Sequence, residues 1–340
     1  MLSLIVVIVA LALVFDFLNG FHDAANSIAT VVTTRALTPR QAVLWAAFFN
    51  FIAAFLFGTG VAETISDKLI DPHVMDIYLI FGGLIGGIGW NLLTWYLGLP
   101  VSSSHAIISA LAGAAIVKAG WHALLLPGWE PVLLFLILSP LLGFVLAYVF
   151  LHIIAWLTWR IKRRPAERLF HKLQLVSAAL YSLGHGSNDA QKTMGIIVAL
   201  LVAGGYGRWT RSTTHFLGHQ EIALWIILSC QAAMALGTMA GGWRVVRTIG
   251  TRITPHLRPV GGFAAELAAA CTIAFATFAK VPISTTHAIG GAISGVGASQ
   301  GLHGVRWLWA RRVVYGWILT FPGAGLIGAA GYLLVRLTFA

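Results

Sequence analysis

Charged residues are scarce in this chain. Only 10% of its 340 residues carry a charge, and only 11 residues are acidic, whereas 58% are hydrophobic. A soluble domain of this length covers its core with charged side chains, so the composition excludes that class of protein. We therefore predict a polytopic membrane protein, which crosses the lipid bilayer several times.

Cysteine is also rare, and its two residues, Cys230 and Cys271, both lie in apolar runs. This pattern excludes a disulfide framework and favours two small buried hydrophobic side chains. Basic residues outnumber acidic ones, with a net charge of +11, but they cluster between apolar segments instead of forming a nucleic-acid patch. Such clusters are typical of the cytoplasmic loops of a bacterial inner-membrane protein, and we expect this cell-membrane location and no nucleic-acid partner.

The N-terminal apolar run lacks the basic residues of a signal peptide, because the first arginine is Arg35. We interpret it as the first membrane helix, from about Leu2 to Thr33. At 1.5 Å per residue it is long enough to cross the bilayer, with room for a break near Asn19 and Gly20.

Two short stretches of the chain look like one element written twice: GFHDAANS, at 20–27, and GSNDAQKT, at 186–193. The copies share a glycine, an aspartate, an alanine and a hydroxyl residue, and each lies inside an apolar run. Their aspartates are Asp23 and Asp189. A carboxylate at the bilayer centre costs about 2.5–3.5 kcal/mol on insertion scales, so an aspartate there predicts a functional site.

A second element is also duplicated, as PVSSSHAI after Leu99 and PISTTHAI after Val281. Pro100 and Pro282 cannot continue the preceding helices, and the hydroxyl residues after them are natural N-caps. Each copy therefore predicts a re-entrant hairpin, with two helical arms and a polar tip. Such a tip is permitted where it is buried in protein or faces a watery cavity.

Five apolar segments precede the second motif helix, so that helix must run opposite to the first. We predict an all-α membrane protein of two inverted-topology repeats, each with a discontinuous motif helix and a re-entrant helical hairpin. The N-terminal repeat would span 1–159 and the C-terminal repeat 173–340. A short basic cytoplasmic linker, 160–172, would join them. A homo-oligomer is compatible with this architecture.

The hairpin tips suit a tetrahedral oxyanion, because a helix N-terminus offers free N–H groups and partial positive charge. Simple N-capping is the alternative for each tip alone. We predict eight substrate-binding residues near the midplane: Asn26, Ser102, Ser103, Ser104, Lys192, Ser284, Thr285 and Thr286.

Asp23 and Asp189 could hold Na⁺ as metal ligands or take up protons. A local pair with Lys192 is the alternative for Asp189. Further candidates for cation coupling are Asn188, Asp16 and Glu266. His22, His105 and His287 are candidates for a proton relay, although a helical histidine is more often a packing residue.

These motifs, together with GTMAGGWRVVRTIG and GGFAAELAAA, resemble the inorganic phosphate transporter (PiT) family, in its bacterial low-affinity phosphate permease type. The resemblance implies a secondary transporter that moves inorganic phosphate with Na⁺ or protons and needs no other cofactor. It maps the family's motif aspartates to Asp23 and Asp189, and its hairpin hydroxyls to Ser102–Ser104 and Ser284–Thr286. The sequence departs from the family pattern at His22, where asparagine is usual, and has Lys192 where the first copy has Asn26.

Three alternatives stay open at this stage. A permease for sulfate or another oxyanion fits the tips equally well, but sulfate has no proton for a motif carboxylate to accept, whereas phosphate does. A passive anion channel would ignore Na⁺ and pH gradients. An intramembrane protease could use the two aspartates, but it has no use for paired hydroxyl tips, so we expect no enzyme.

Overall fold

The structure is a computed structural model that describes residues 2–56, 58–211, 222–254 and 257–339. Within these residues it is helical and contains no strand. This confirms the all-α prediction. The helices are α1 Leu2–Thr33, α2 Pro39–Ile52, α3 Gly60–Asp67, α4 Ile77–Leu97, α5 Ser103–Ala119, α6 Leu126–Leu157, α7 Arg163–Ala203, α8 Leu224–Ala240, α9 Trp243–Arg247, α10 Pro259–Phe278, α11 Thr285–Ala298 and α12 Trp307–Phe339.

In the described part of the chain, five helices are long and apolar enough to cross a membrane: α1, α4, α6, α10 and α12. Two helix pairs, α2 with α3 and α8 with the helical segment from Trp243 to Ile253, also qualify if each is one span, although they bend by 79° and 60°. The apolar run from Glu221 to Gly241 predicts one further span. The observed helix α8 begins at Leu224, and Glu221 itself lies outside the described residues.

The motif helices are continuous, so the predicted discontinuity is wrong. Helix α1 runs unbroken past Asn19 and Gly20, and α7 runs unbroken through Gly186. The glycines serve close packing instead. A Cβ on Gly20 would overlap the carbonyl oxygen of Met234, and one on Gly186 would overlap the backbone of Asn50.

The helices on either side of each hydroxyl tip pack together as hairpins, α4 with α5 and α10 with α11, while their re-entrant course in the membrane stays a prediction. Helices α5 and α11 contain 17 and 14 residues. At 1.5 Å per residue they reach only about 25 and 21 Å, less than the ~30 Å hydrocarbon core. Both begin among buried residues at the hydroxyl tips, which is the geometry expected of re-entrant arms.

Helix α7 begins at Arg163, ten residues before the predicted start of the second motif helix. Its first turns are exposed, and Arg163 Nε donates to Glu167 Oε1 over 3.0 Å, an i,i+4 pair that supports a helix in water. This hydrogen bond lowers the pKa of Glu167. Most of the predicted linker is therefore helical, and only residues 158–162 separate α6 from α7. The repeat boundaries themselves stay a prediction.

Helices from the two halves of the chain pack on each other reciprocally. In the interior, α1 contacts α8 while α7 contacts α2; at the periphery, the first hairpin packs against α12 and the second against α6. Side chains such as Ile137 of α6 and Leu326 of α12 are about 70% exposed. Apolar outer faces on the peripheral helices suit contact with lipid, whereas the polar motif residues lie inside.

Candidate functional site

The two motif aspartates lie together in the centre of the protein. Ligand atoms of Asp23, Asp189 and His185 all fall within 4.8 Å of one another, and the three residues are buried. The aspartates come from α1 and α7, which are far apart in the sequence. Their proximity brings the two copies of the duplicated motif into one buried cluster.

The first hydroxyl of each hairpin tip caps a helix. Ser102 Oγ accepts from the His105 amide, and Ser284 Oγ accepts from the His287 amide, each over 3.1 Å. Capping therefore accounts for Ser102 and Ser284, and it uses the side-chain acceptor that each offers.

The other tip hydroxyls do not cap a helix, and they differ in whether they have a hydrogen-bond partner. Thr285 Oγ1 donates to Asp189 Oδ2 over 3.2 Å, and Thr286 Oγ1 donates to the Val101 carbonyl over 3.2 Å. Ser103 Oγ is buried without a hydrogen-bond partner among the described residues. A buried hydroxyl is normally satisfied, so Ser103 is the tip residue best placed to receive a ligand.

Lys192 lies between the two tips. Its Nζ donates to Ser104 Oγ over 2.5 Å, to the Ile283 carbonyl over 2.9 Å, and to the Asp189 carboxylate. The local Asp189–Lys192 pair weighed from the sequence is therefore present. It forms part of the site, since the same ammonium also contacts both hairpins.

The two motif asparagines have different surroundings. Asn26 Nδ2 donates to Thr286 Oγ1 over 2.9 Å, while its Oδ1 has no partner in the described part of the chain. Asn188 instead holds the segment before the second tip. It donates to the Val281 carbonyl over 3.2 Å and accepts from the Ile283 amide over 3.3 Å. This places Asn188 as a support for the tip.

The three histidines proposed for a proton relay fall into two places. His22 Nδ1 lies 2.9 Å from Asp23 Oδ1, beside the aspartate pair. His105 and His287 contact each other, with ring centroids 4.9 Å apart, and the His287 ring also stacks on Trp317 at 3.9 Å. The second pair is an aromatic cluster behind the tips, and its relay role stays a prediction.

The other two carboxylates are buried in unlike surroundings. Both oxygens of Asp16 lack a hydrogen-bond partner within the described residues, whereas Glu266 accepts from Gln174 Nε2 over 3.0 Å and from Ser177 Oγ. An unpartnered buried carboxylate must be neutral or near a cation, so Asp16 is the stronger second-rank candidate of the two.

His185, Asn50 and Tyr181 join the site although none was among the predicted site residues. His185 Nε2 lies 3.4 Å from Asp189 Oδ2, its Nδ1 donates to Asn50 Oδ1 over 3.2 Å, and Tyr181 OH donates to the Thr285 carbonyl over 3.2 Å. His185 could have been predicted from the sequence, because it precedes Asp189 by one helical turn and so lies on the same face of the helix. Asn50 and Tyr181 reach the site only through packing.

The site around Asp23 and Asp189 is buried and rich in oxygen atoms, and it contains two carboxylates and the Lys192 ammonium at exposures of 0–1%. Carboxylate, amide and hydroxyl oxygens suit a hard cation, and the two helix N-termini suit an anion. A bundle of membrane helices with a buried polar site of this kind is typical of membrane transporters.

Comparison with known proteins agrees with this class. The model of the phosphate transporter family matches residues 19–328. A probable low-affinity inorganic phosphate transporter from Rhizobium meliloti (strain 1021) is 49% identical over 97% of this chain and 96% of its own length. One from Bacillus subtilis (strain 168) is 43% identical over 100% and 99%. A solved structure titled "The sodium-dependent phosphate transporter" has the same fold, with a TM-score of 0.88 and 24% identity over 98% of this chain and 99% of that one.

The chain belongs to the phosphate transporter family. This confirms the resemblance seen in the motifs, and it confirms that the protein is an integral membrane protein and a transporter. Its relatives are transporters, so the prediction that it is not an enzyme is also confirmed.

Proposed function

We propose that this protein takes up inorganic phosphate across the inner membrane by symport with a cation, Na⁺ or a proton, at a midplane site between its two repeats. One observation carries the proposal: ligand atoms of Asp23, Asp189 and His185 lie within 4.8 Å of one another, and Asp189 accepts a hydrogen bond from Thr285 at the second hydroxyl tip. Like charges this close repel each other in a buried site, and Lys192 supplies one positive charge beside Asp189, so a second cation or a proton must accompany Asp23. The accompanying charge is what couples the two fluxes.

The anion would lie at the tips, near the Ser103 hydroxyl and the N-terminal amides of α5 and α11. Phosphate near neutral pH still carries a proton, which a motif carboxylate accepts in a hydrogen bond, whereas sulfate would meet that carboxylate as repulsion. The substrate named for the 49% identical relative supports the same choice.

The mobile cation would lie on the Asp23 side of the site. Asp23 and Asn26 share one face of α1, and the unpartnered Asn26 Oδ1 adds an oxygen ligand. Asp189 already has Lys192 as its positive partner. The reciprocal helix contacts between the halves support the predicted inverted repeat, in which such a site opens alternately to each side.

The test is uptake of labelled phosphate by proteoliposomes that hold the purified full chain. Na⁺ and pH gradients are imposed separately, and we expect accumulation against a phosphate gradient with at least one of them. Flux that ignores both gradients would identify a passive channel and overturn the proposal. Strong competition by excess sulfate would overturn the choice of substrate.

A further inference from the structure

Lys192 has the surroundings of a bound cation. Its buried ammonium contacts three oxygens from three parts of the chain: the Asp189 carboxylate on α7, the Ser104 hydroxyl at the first tip, and the Ile283 carbonyl before the second tip. An ammonium has three N–H donors, so every donor is used. A carboxylate, a hydroxyl and a carbonyl are also the ligands that a hard metal cation takes.

The duplicated motifs supply the same three oxygens a second time. Asp23 corresponds to Asp189, Thr286 corresponds to Ser104, and Val101 corresponds to Ile283. Two members of this second set are in direct contact: Thr286 Oγ1 donates to the Val101 carbonyl over 3.2 Å, and it accepts from Asn26 Nδ2 over 2.9 Å. The third, Asp23, lies one helical turn before Asn26 on α1 and has its carboxylate in the cluster with Asp189 and His185.

The two sets differ at one position. Lys192 stands in the second motif where Asn26 stands in the first, and the shorter Asn26 brings no charge to its oxygens. Its buried Oδ1 has no partner among the described residues, so it is available as a further ligand. One oxygen set therefore contains a covalently attached cation, and its counterpart does not.

We infer that the Lys192 ammonium is a tethered cation that fills one of two corresponding cation positions, so that of this pair the Asp23 position is left for a mobile ion. The inference rests on the proposed function and deepens it, because it names the residue that sets how many cations accompany phosphate. Two other roles for Lys192 predict different behaviour. A direct phosphate ligand would be needed for binding at any ionic composition, and a purely structural ion pair would leave the cation requirement unchanged.

The test replaces Lys192 by asparagine, the residue at the corresponding position, Asn26, of the first motif. Binding of ³²P-phosphate to purified parent and Lys192→Asn protein is measured against Na⁺ concentration at fixed pH, with choline replacing Na⁺. A Hill coefficient can reach the number of coupled sites, so we expect its value for Na⁺ to rise by about one in the variant. Lys172→Asn, which removes an exposed lysine outside the site, is the matched control and should behave as the parent does.

A double variant, Asn26→Lys with Lys192→Asn, moves the ammonium to the other oxygen set and keeps the number of charges. We expect it to bind phosphate with the Na⁺ dependence of the parent. An unchanged Hill coefficient in a folded Lys192→Asn protein would overturn the inference. Loss of phosphate binding at every Na⁺ concentration would do so too, because it would make Lys192 a substrate ligand.

The parent protein allows a measurement that does not depend on whether a variant folds. The ratio of cation to phosphate flux, taken with ²²Na⁺ or with a proton-sensitive dye in the same vesicles, should be one. A ratio of two or more would overturn the inference while leaving symport intact. Absence of any phosphate binding by the parent would instead overturn the proposed function.

Discussion

Gly20 of α1 packs so closely on Met234 of α8 that a Cβ on the glycine would overlap the Met234 carbonyl oxygen. The contact joins the first motif to the other half of the chain. Gly186, its counterpart in the second motif, makes the equivalent approach to Asn50 of α2. The motif glycines therefore hold the two aspartates together by allowing the helices that carry them to pack tightly.

Gly20→Ala should destabilise the protein, because the obstacle is backbone and cannot rotate away. Overpacking costs about 1–3 kcal/mol. Thermal unfolding in detergent measures it, with Gly58→Ala as control, since a Cβ there meets nothing within 4 Å. Equal unfolding temperatures for the two variants would contradict this account of the motif glycine.

Asp23→Asn should abolish phosphate accumulation and leave the protein folded. The amide keeps the shape of the side chain but removes the charge that would hold the mobile cation. Uptake into proteoliposomes and size-exclusion chromatography measure the two properties. Asp67→Asn, at an exposed position, is the control and should retain full uptake. Normal accumulation by Asp23→Asn would remove this carboxylate from the mechanism.

Asp189→Asn should also abolish accumulation, but it should cost stability as well. It leaves the buried Lys192 ammonium without its counter-charge, and breaking a buried pair in this way costs about 3–5 kcal/mol. The double variant Asp189→Asn with Lys192→Asn should recover most of that loss. A double-mutant cycle of unfolding free energies in detergent checks the coupling. Simple additivity of the two single variants would refute the pairing.

Neighbouring serines of the first tip should respond differently to alanine. Ser102→Ala removes a helix cap, so we expect a loss of about 1 kcal/mol in stability. Ser103 has no hydrogen-bond partner in the described structure, so Ser103→Ala should leave stability unchanged while weakening phosphate binding. Unfolding curves and equilibrium binding of labelled phosphate separate the two effects. Equal losses of stability would mean that Ser103 is structural.

Glu266→Gln should lower stability by about 1–3 kcal/mol, because the new amide group would face a donor that the carboxylate now satisfies. Gln174 Nε2 and Ser177 Oγ are the donors involved. The Na⁺ and pH dependence of uptake, measured together with unfolding, tests the predicted role of Glu266 in cation coupling. An altered dependence would add Glu266 to the cation pathway, whereas an unaltered one would restrict it to packing.

Much of the fold could be read from the residues alone. The apolar runs predicted α1 to its observed bounds, because a membrane-spanning helix must be long and apolar whatever its neighbours are. Pro100 and Pro282 marked the hairpin tips for an equally local reason, since proline ends a helix. The break at Gly20 was predicted wrongly because glycine serves both flexibility and close packing, and only the neighbouring helix distinguishes them.

The site residues also divide into those that the sequence indicated and those that only the structure revealed. Doubling of the motif pointed to Asp23 and Asp189, since a buried carboxylate is too costly to occur twice by chance. The roles of Asn50 and Tyr181 could not be predicted, because each is an ordinary residue on a helix that meets the site only after folding.

The sequence by itself determined that this protein lies in a membrane, where proline separates the arms of its hairpins, and which scarce polar residues stand out. Those properties follow from the free energy of single side chains in lipid and from the local stereochemistry of the backbone. Only the tertiary structure decided which oxygens surround Lys192 and which remain around Asn26. Hydrogen bonds between distant segments depend on how the two halves pack, and the order of residues along the chain does not contain those distances.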